Sequence, residues 1–94
     1  MKLLLLEDDP KVADFITKGL REAGFVVEHT THGEIALSLA QSEEYDVAVL
    51  DVMVPGLSGL SVIQKLREQK NPIPVLILSA NHTLKDRVLS LIHI

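Results

Sequence analysis

Four carboxylates and one hydroxyl stand where short apolar runs stop. Glu7, Asp8 and Asp9 follow Leu3-Leu4-Leu5-Leu6, Asp51 follows Val47-Ala48-Val49-Leu50, and Ser79 follows Val75-Leu76-Ile77-Leu78. If the first and third runs are neighbours in a sheet, Glu7, Asp8 and Asp51 converge. Three carboxylates in a partly desolvated cleft repel one another, so the cluster calls for protons or a cation. Oxygen-only ligands with room for water suit Mg2+ or another hard divalent ion better than zinc. Such an ion would also offset the charge of an incoming phosphoryl group, which makes Asp51 a candidate nucleophile for an aspartyl phosphate. Ser79 adds a hydroxyl donor for a phosphoryl oxygen. The competing reading is that acids after a strand merely cap the next helix. It suits Asp9, which precedes Pro10, better than it suits the trio. The histidines His29, His32, His82 and His93 share no spacing that would build a metal site and read as exposed or loop residues.

The elements that must position these groups alternate along the chain. Residues 2–6 read as a strand buried on both faces. Asp9 and Pro10 open a helix whose apolar side is Val12, Phe15, Ile16, Leu20 and Ala23, and Gly24 ends it. A second strand covers 25–29, and a loop from Thr30 to Gly33 leads to a helix with Ile35, Ala36, Leu39 and Ala40 as its stripe. The third strand, 46–50, runs into a loop punctuated by Pro55, Gly56 and Gly59, then a helix marked by Leu60, Ile63 and Leu66. Asn71-Pro72-Ile73-Pro74 is a stiff connector to the fourth strand at 75–78. Thr83 can cap a fourth helix with Leu84, Val88 and Leu91 on its apolar side. Strand and helix in alternation predict a parallel sheet with right-handed crossovers, whose ligands bind at the strands' carboxyl ends.

Composition narrows the function classes. A chain of 94 residues with 47% hydrophobic and 23% charged residues is one globular domain without a disorder signature. A net charge of -4 argues against nucleic-acid binding by this segment. With no cysteine, disulfides, thiol catalysis and cysteine-ligated metals are excluded. The leucine run after Lys2 is too short for a signal peptide, and no stretch is long enough to cross a bilayer. A cytoplasmic location is expected.

The order and spacing of four motifs resemble the receiver domain of two-component response regulators. They are Leu3 through Asp9, Gly33-Glu34-Ile35-Ala36-Leu37, Tyr45-Asp46 through Asp51 with Pro55 and Gly59, and Pro74 through Ala80. The wording around Asp51, and Lys85-Asp86-Arg87-Val88, is most similar to receivers of the winged-helix transcription-factor class. The resemblance implies a flavodoxin-like, doubly wound α/β sheet in three layers with strand order 2-1-3-4. It also implies that Asp51 is the phosphoacceptor and Ser79 the switch hydroxyl. Asp8 and Asp51 would hold Mg2+ directly, Glu7 through water, and the Met53 backbone carbonyl would complete the protein ligands. The donor would be a phosphohistidine on a sensor histidine kinase. The domain would assist its own phosphorylation and dephosphorylation without being a turnover enzyme. Regulation of a DNA-binding output domain outside this chain, and formation of a homodimer, are further implications.

The sequence departs from the family in one respect. A full receiver adds a fifth strand and helix, with a lysine after that strand to pair with the phosphoryl group. Here Leu89-Ser90-Leu91-Ile92-His93-Ile94 stands instead. The expectation is a receiver over residues 1–94 that lacks its fifth strand and helix, with 92–94 foreign to the family. Three rivals remain. A flavin-mononucleotide binder would need phosphate-cradling glycines or hydroxyls where Glu7-Asp8-Asp9 stands. A haloacid-dehalogenase-type phosphatase would need an acid where Met53 stands. A receiver-fold interaction domain that is never phosphorylated, or an inactive fragment, is the third.

Overall fold

The computed structural model describes residues 1–52, 54, 56–79 and 90–93, with Ser79 and the last four described by backbone alone. In chain order the elements are β1 Lys2–Leu6, α1 Pro10–Glu22, β2 Val26–Thr30, α2 Gly33–Ser42, β3 Val47–Asp51, α3 Gly59–Glu68, β4 Val75–Ser79 and β5 Ser90–His93. The sheet runs β2-β1-β3-β4-β5; the first four strands are parallel, in the expected order 2-1-3-4.

The four consecutive leucines of β1 follow from a sheet covered on both faces. Leu4 and Leu6 enter one core with Ala48, Leu50, Val75 and Ile77, closed by α2 and α3 through Ala36, Ala40, Val62 and Leu66. Leu3 and Leu5 point the other way, joining Val27, Val49 and Leu78 against Ala13 of α1. Successive strand residues alternate faces, so a strand between two helical layers needs apolar residues at every position. Each such leucine contributes about 1.5–3 kcal/mol by leaving water.

Local signals set the helix ends. Asp9 caps α1, its Oδ1 accepting from the N–H groups of Lys11 at 2.9 Å and Val12 at 3.3 Å, with Pro10 in the first turn. The helix ends where Gly24 takes φ +96, letting Phe25 N–H return to the Leu20 carbonyl at 3.0 Å. Asp9→Ala should cost about 1 kcal/mol, measured by chemical denaturation, because two N–H groups lose their acceptor.

The structure corrects several expectations. Phe15, Ile35 and Leu60, assigned to helix core stripes, are 75%, 50% and 51% exposed. Ala36 and Ala40 on α2 and Ile63 and Leu66 on α3 are buried as expected, joined by Ala13 on α1, Gly33 on α2, and Gly59 and Val62 on α3. The sheet does not stop at β4. Residues 90–93, including Leu91, which was assigned to a helix face, form β5 antiparallel to β4, with Leu78 opposite Leu91. This is an added edge strand rather than a fifth strand–helix unit. It gives hydrogen-bond partners to the outer edge of β4. The expected fourth helix, from Thr83 to Val88, lies outside the described residues. On the α1 side an apolar groove of about 700 Å³ runs between Phe15 and Leu20 and the sheet residues Val47, Val49, Leu76 and Leu78. Among the described residues no helix is long and apolar enough to cross a membrane.

Candidate functional site: an acidic cluster at the carboxyl ends of the strands

Register builds the site. β1 and β3 are parallel neighbours with Leu6 beside Leu50. One step further along both strands brings Glu7 alongside Asp51, with side chains leaving the same face. Asp8 follows in the turn toward α1. Ligand oxygens of Glu7, Asp8 and Asp51 lie within 4.8 Å of one another. Glu7 and Asp51 are only 3% and 7% exposed, whereas Asp8 faces solvent.

The electrostatics follow from that placement. Burial, then a hydrogen bond to Asp51 and the negative charge of Asp51, push the Glu7 carboxyl up to about 8. The Asp9 N–H donates to Glu7 Oε1 at 3.1 Å and works in the opposite direction without overcoming the rise. Burial and the neighbouring negative charge thus favour the protonated form of Glu7, hydrogen-bonded to Asp51. A shared proton is one of the two solutions open to converging carboxylates. A cation is the other, and the all-oxygen donor set suits a hard divalent ion.

Backbone ties hold the acids in place. Glu7 N–H donates to the Thr30 carbonyl at 3.1 Å, and the Glu7 carbonyl accepts from His29 Nε2 at 2.7 Å. Behind Asp51, the loop is anchored by Val52, Val54 and Leu57, which pack on the α2–α3 core. Gly59, the first residue of α3, lies so close to Asp51 that an added Cβ would collide with its carbonyl oxygen and come within 2.9 Å of its carbonyl carbon. Gly59→Ala should therefore lower stability by about 1–3 kcal/mol in a thermal or chemical melt. In an unencumbered helix the same change would gain about 1 kcal/mol, so the sign itself is diagnostic.

Of the residues singled out in the sequence, Glu7, Asp8 and Asp51 come together. Asp9 stands apart from the trio as the α1 cap. Ser79 ends β4, one position beyond Leu78, which is paired with Asp51; its side chain lies outside the described residues. Met53 and Pro55 also lie outside them. The contact that sequence reasoning missed is His29. Nothing in its spacing tells that its ring reaches across to the Glu7 carbonyl.

The receiver-domain model of response regulators matches residues 3–92, and the chain belongs to that family. Such a domain is not a turnover enzyme. Among curated proteins, the chain is 44% identical over 88 residues to the probable transcriptional regulatory protein SilR of Salmonella typhimurium, covering 94% of this chain but 39% of SilR. The chain thus spans about two fifths of the length of the curated relatives it matches. Among solved structures, the receiver domain of the Francisella response regulator 1452 superposes with a TM-score of 0.82 at 39% identity, covering 89% of this chain and 69% of that one. TrrA of Thermotoga maritima, solved with Mg2+ and BeF, gives 0.80 at 31% identity over 86% of this chain and 70% of its own. TrrA has also been solved in complex with the histidine kinase ThkA, with a TM-score of 0.78 and 29% identity over 90% of this chain and 73% of that one.

Proposed function

We propose that Asp51 is the phosphoacceptor of this receiver domain and that a sensor histidine kinase is its donor. The observation that carries the reading is the convergence of Glu7, Asp8 and Asp51 within 4.8 Å at the carboxyl ends of β1 and β3. An Asp51 carboxylate oxygen attacks phosphorus, the P–N bond of a phosphohistidine breaks, and the imidazole leaves with the electron pair. Asp8 and Asp51 would hold Mg2+ directly, with Glu7 behind a water molecule and the Met53 carbonyl as a further ligand. The ion supplies charge neutralisation for the transferring phosphoryl group. Ser79 would donate its hydroxyl to a phosphoryl oxygen.

The relatives are transcriptional regulators matched over their N-terminal part only. A DNA-binding output domain of a longer, cytoplasmic protein is therefore the reading we favour for what the phosphorylation controls, with homodimer formation as the step between. DNA contact by this acidic segment is not part of that reading.

Incubation with Mg2+ and acetyl phosphate, followed by intact mass measurement, tests the assignment. A gain of one phosphoryl group that requires Asp51 supports it. Modification that persists in Asp51→Asn, or a wild-type chain that takes up no phosphoryl group or beryllofluoride, overturns it. The second outcome favours a receiver-fold interaction domain.

A further inference from the structure

We propose that His29 is a positioning residue for the acidic site: its ring N–H fixes the Glu7 carbonyl and thereby holds Glu7 and Asp8 in register with Asp51 for a divalent cation. This rests on the function proposed above. Glu7 and Asp8 lie beyond the end of β1, and α1 begins only at Pro10. The peptide joining Glu7 to Asp8 therefore belongs to no regular element. The main-chain ladder between β1 and β2 makes its last bond at Glu7 N–H to the Thr30 carbonyl. The next carbonyl, that of Glu7, accepts from His29 Nε2 at 2.7 Å.

A carbonyl only accepts, so Nε2 must carry the hydrogen, which fixes the tautomer of the neutral ring. The bond differs in kind from the Asp9 N–H to Glu7 Oε1 contact, which ties the turn to itself. His29 ties the turn to the sheet. Its partner strand position is Leu5, so the ring reaches forward from β2 to the carbonyl two residues further along the chain, just past β1. Rotation of that peptide would swing both the Glu7 and the Asp8 carboxylates relative to Asp51, which is held separately by β3. His29 is not itself one of the three oxygen donors that meet. Its contribution is orientation, the kind of support that sets the affinity of a cation site from behind its ligands.

The test uses the full chain with His29→Leu, which removes the donor, and His29→Gln, whose amide nitrogen sits where Nε2 does. Mg2+ affinity is read by calorimetry. The Asp8 amide nitrogen shift is read by NMR, since that nitrogen shares a peptide with the Glu7 carbonyl. His29→Leu should weaken Mg2+ binding about three- to tenfold and move the Asp8 resonance. His29→Gln should keep the affinity within about twofold of wild type and leave the resonance near its original position. Melting temperatures without Mg2+ should stay close together, because His29 is exposed on an edge strand. Should the leucine chain fail to fold, His29→Thr replaces it as a donor too short to reach the carbonyl. Equal Mg2+ affinity in all variants, or equal weakening in leucine and glutamine chains, overturns the positioning role alone. A wild-type chain that binds no Mg2+ overturns the functional reading, and this proposal with it.

Discussion

An Asp51→Asn chain should melt higher than wild type at pH 8 without divalent cations while accepting no phosphoryl group at all. The two halves of this result have one cause. Asp51 is 7% exposed and shares a hydrogen bond with Glu7, itself 3% exposed. The folded chain therefore buries an acid pair that the unfolded chain leaves in water, and at pH 8 it does so against the rise of Glu7 to about 8. Asparagine keeps the size and an acceptor oxygen for Glu7 but removes the buried charge. The expected gain is about 1–2 kcal/mol, or roughly 5–10 °C in melting temperature for a domain this small. Phosphoryl uptake falls to background because the amide is not the nucleophile that the carboxylate is. A chain that lost phosphorylation but also melted lower would show that Asp51 holds the fold, and the claim of a strained acid pair would fail. Calorimetry and intact mass on the same preparations separate the two outcomes.

How much of this was legible in the sequence differs from element to element. The four leucines of β1 and the Val47–Leu50 run can be placed from composition alone, because only a strand covered on both faces has a use for apolar residues at every position. Caps are equally local: Asp9, Pro10 and Gly24 act within one turn of where they stand. The helix faces were half legible. Periodicity shows that α1, α2 and α3 have apolar sides but not how wide a stripe the sheet covers. Phe15, Ile35 and Leu60 fall outside it, while the small residues Gly33, Ala36 and Ala40 form the buried side of α2. Residues 90–93 were the hardest, since a short apolar run reads equally well as a helix end or an edge strand. The site splits in the same way. That Glu7, Asp8 and Asp51 follow strands was readable directly. That β1 and β3 are neighbours came from the family resemblance. The proton on Glu7 and the reach of His29 depend on burial and distance across strands, which no local pattern encodes.

That proton leads to the second large effect, a dependence of Mg2+ stabilisation on pH. Glu7 has an ordinary carboxyl value of 4.5 and is raised to about 8 in the fold, so the folded chain binds one proton more than the unfolded chain between those values. Stability from this group is fully present below pH 4.5 and is lost as pH rises through about 8, a change of a few kcal/mol. The cation-free chain should therefore weaken across that window, against the usual gain of proteins whose carboxylates are ion-paired. Mg2+ acts in the opposite sense, because it favours the ionised carboxylate and binds only the folded state. Its apparent affinity should rise as Glu7 loses its proton, by up to about fiftyfold between pH 6 and pH 8 if the bound site excludes the proton fully. At a fixed millimolar Mg2+ concentration, the rise in melting temperature should be several degrees larger at pH 8 than at pH 6. Binding at pH 7 should release close to one proton, measurable as a buffer-dependent heat. A Glu7→Gln chain should lose both the proton release and the pH dependence. Equal Mg2+ stabilisation at the two pH values in wild type would mean that Glu7 keeps its proton beside the ion, leaving Asp8 and Asp51 to hold it alone.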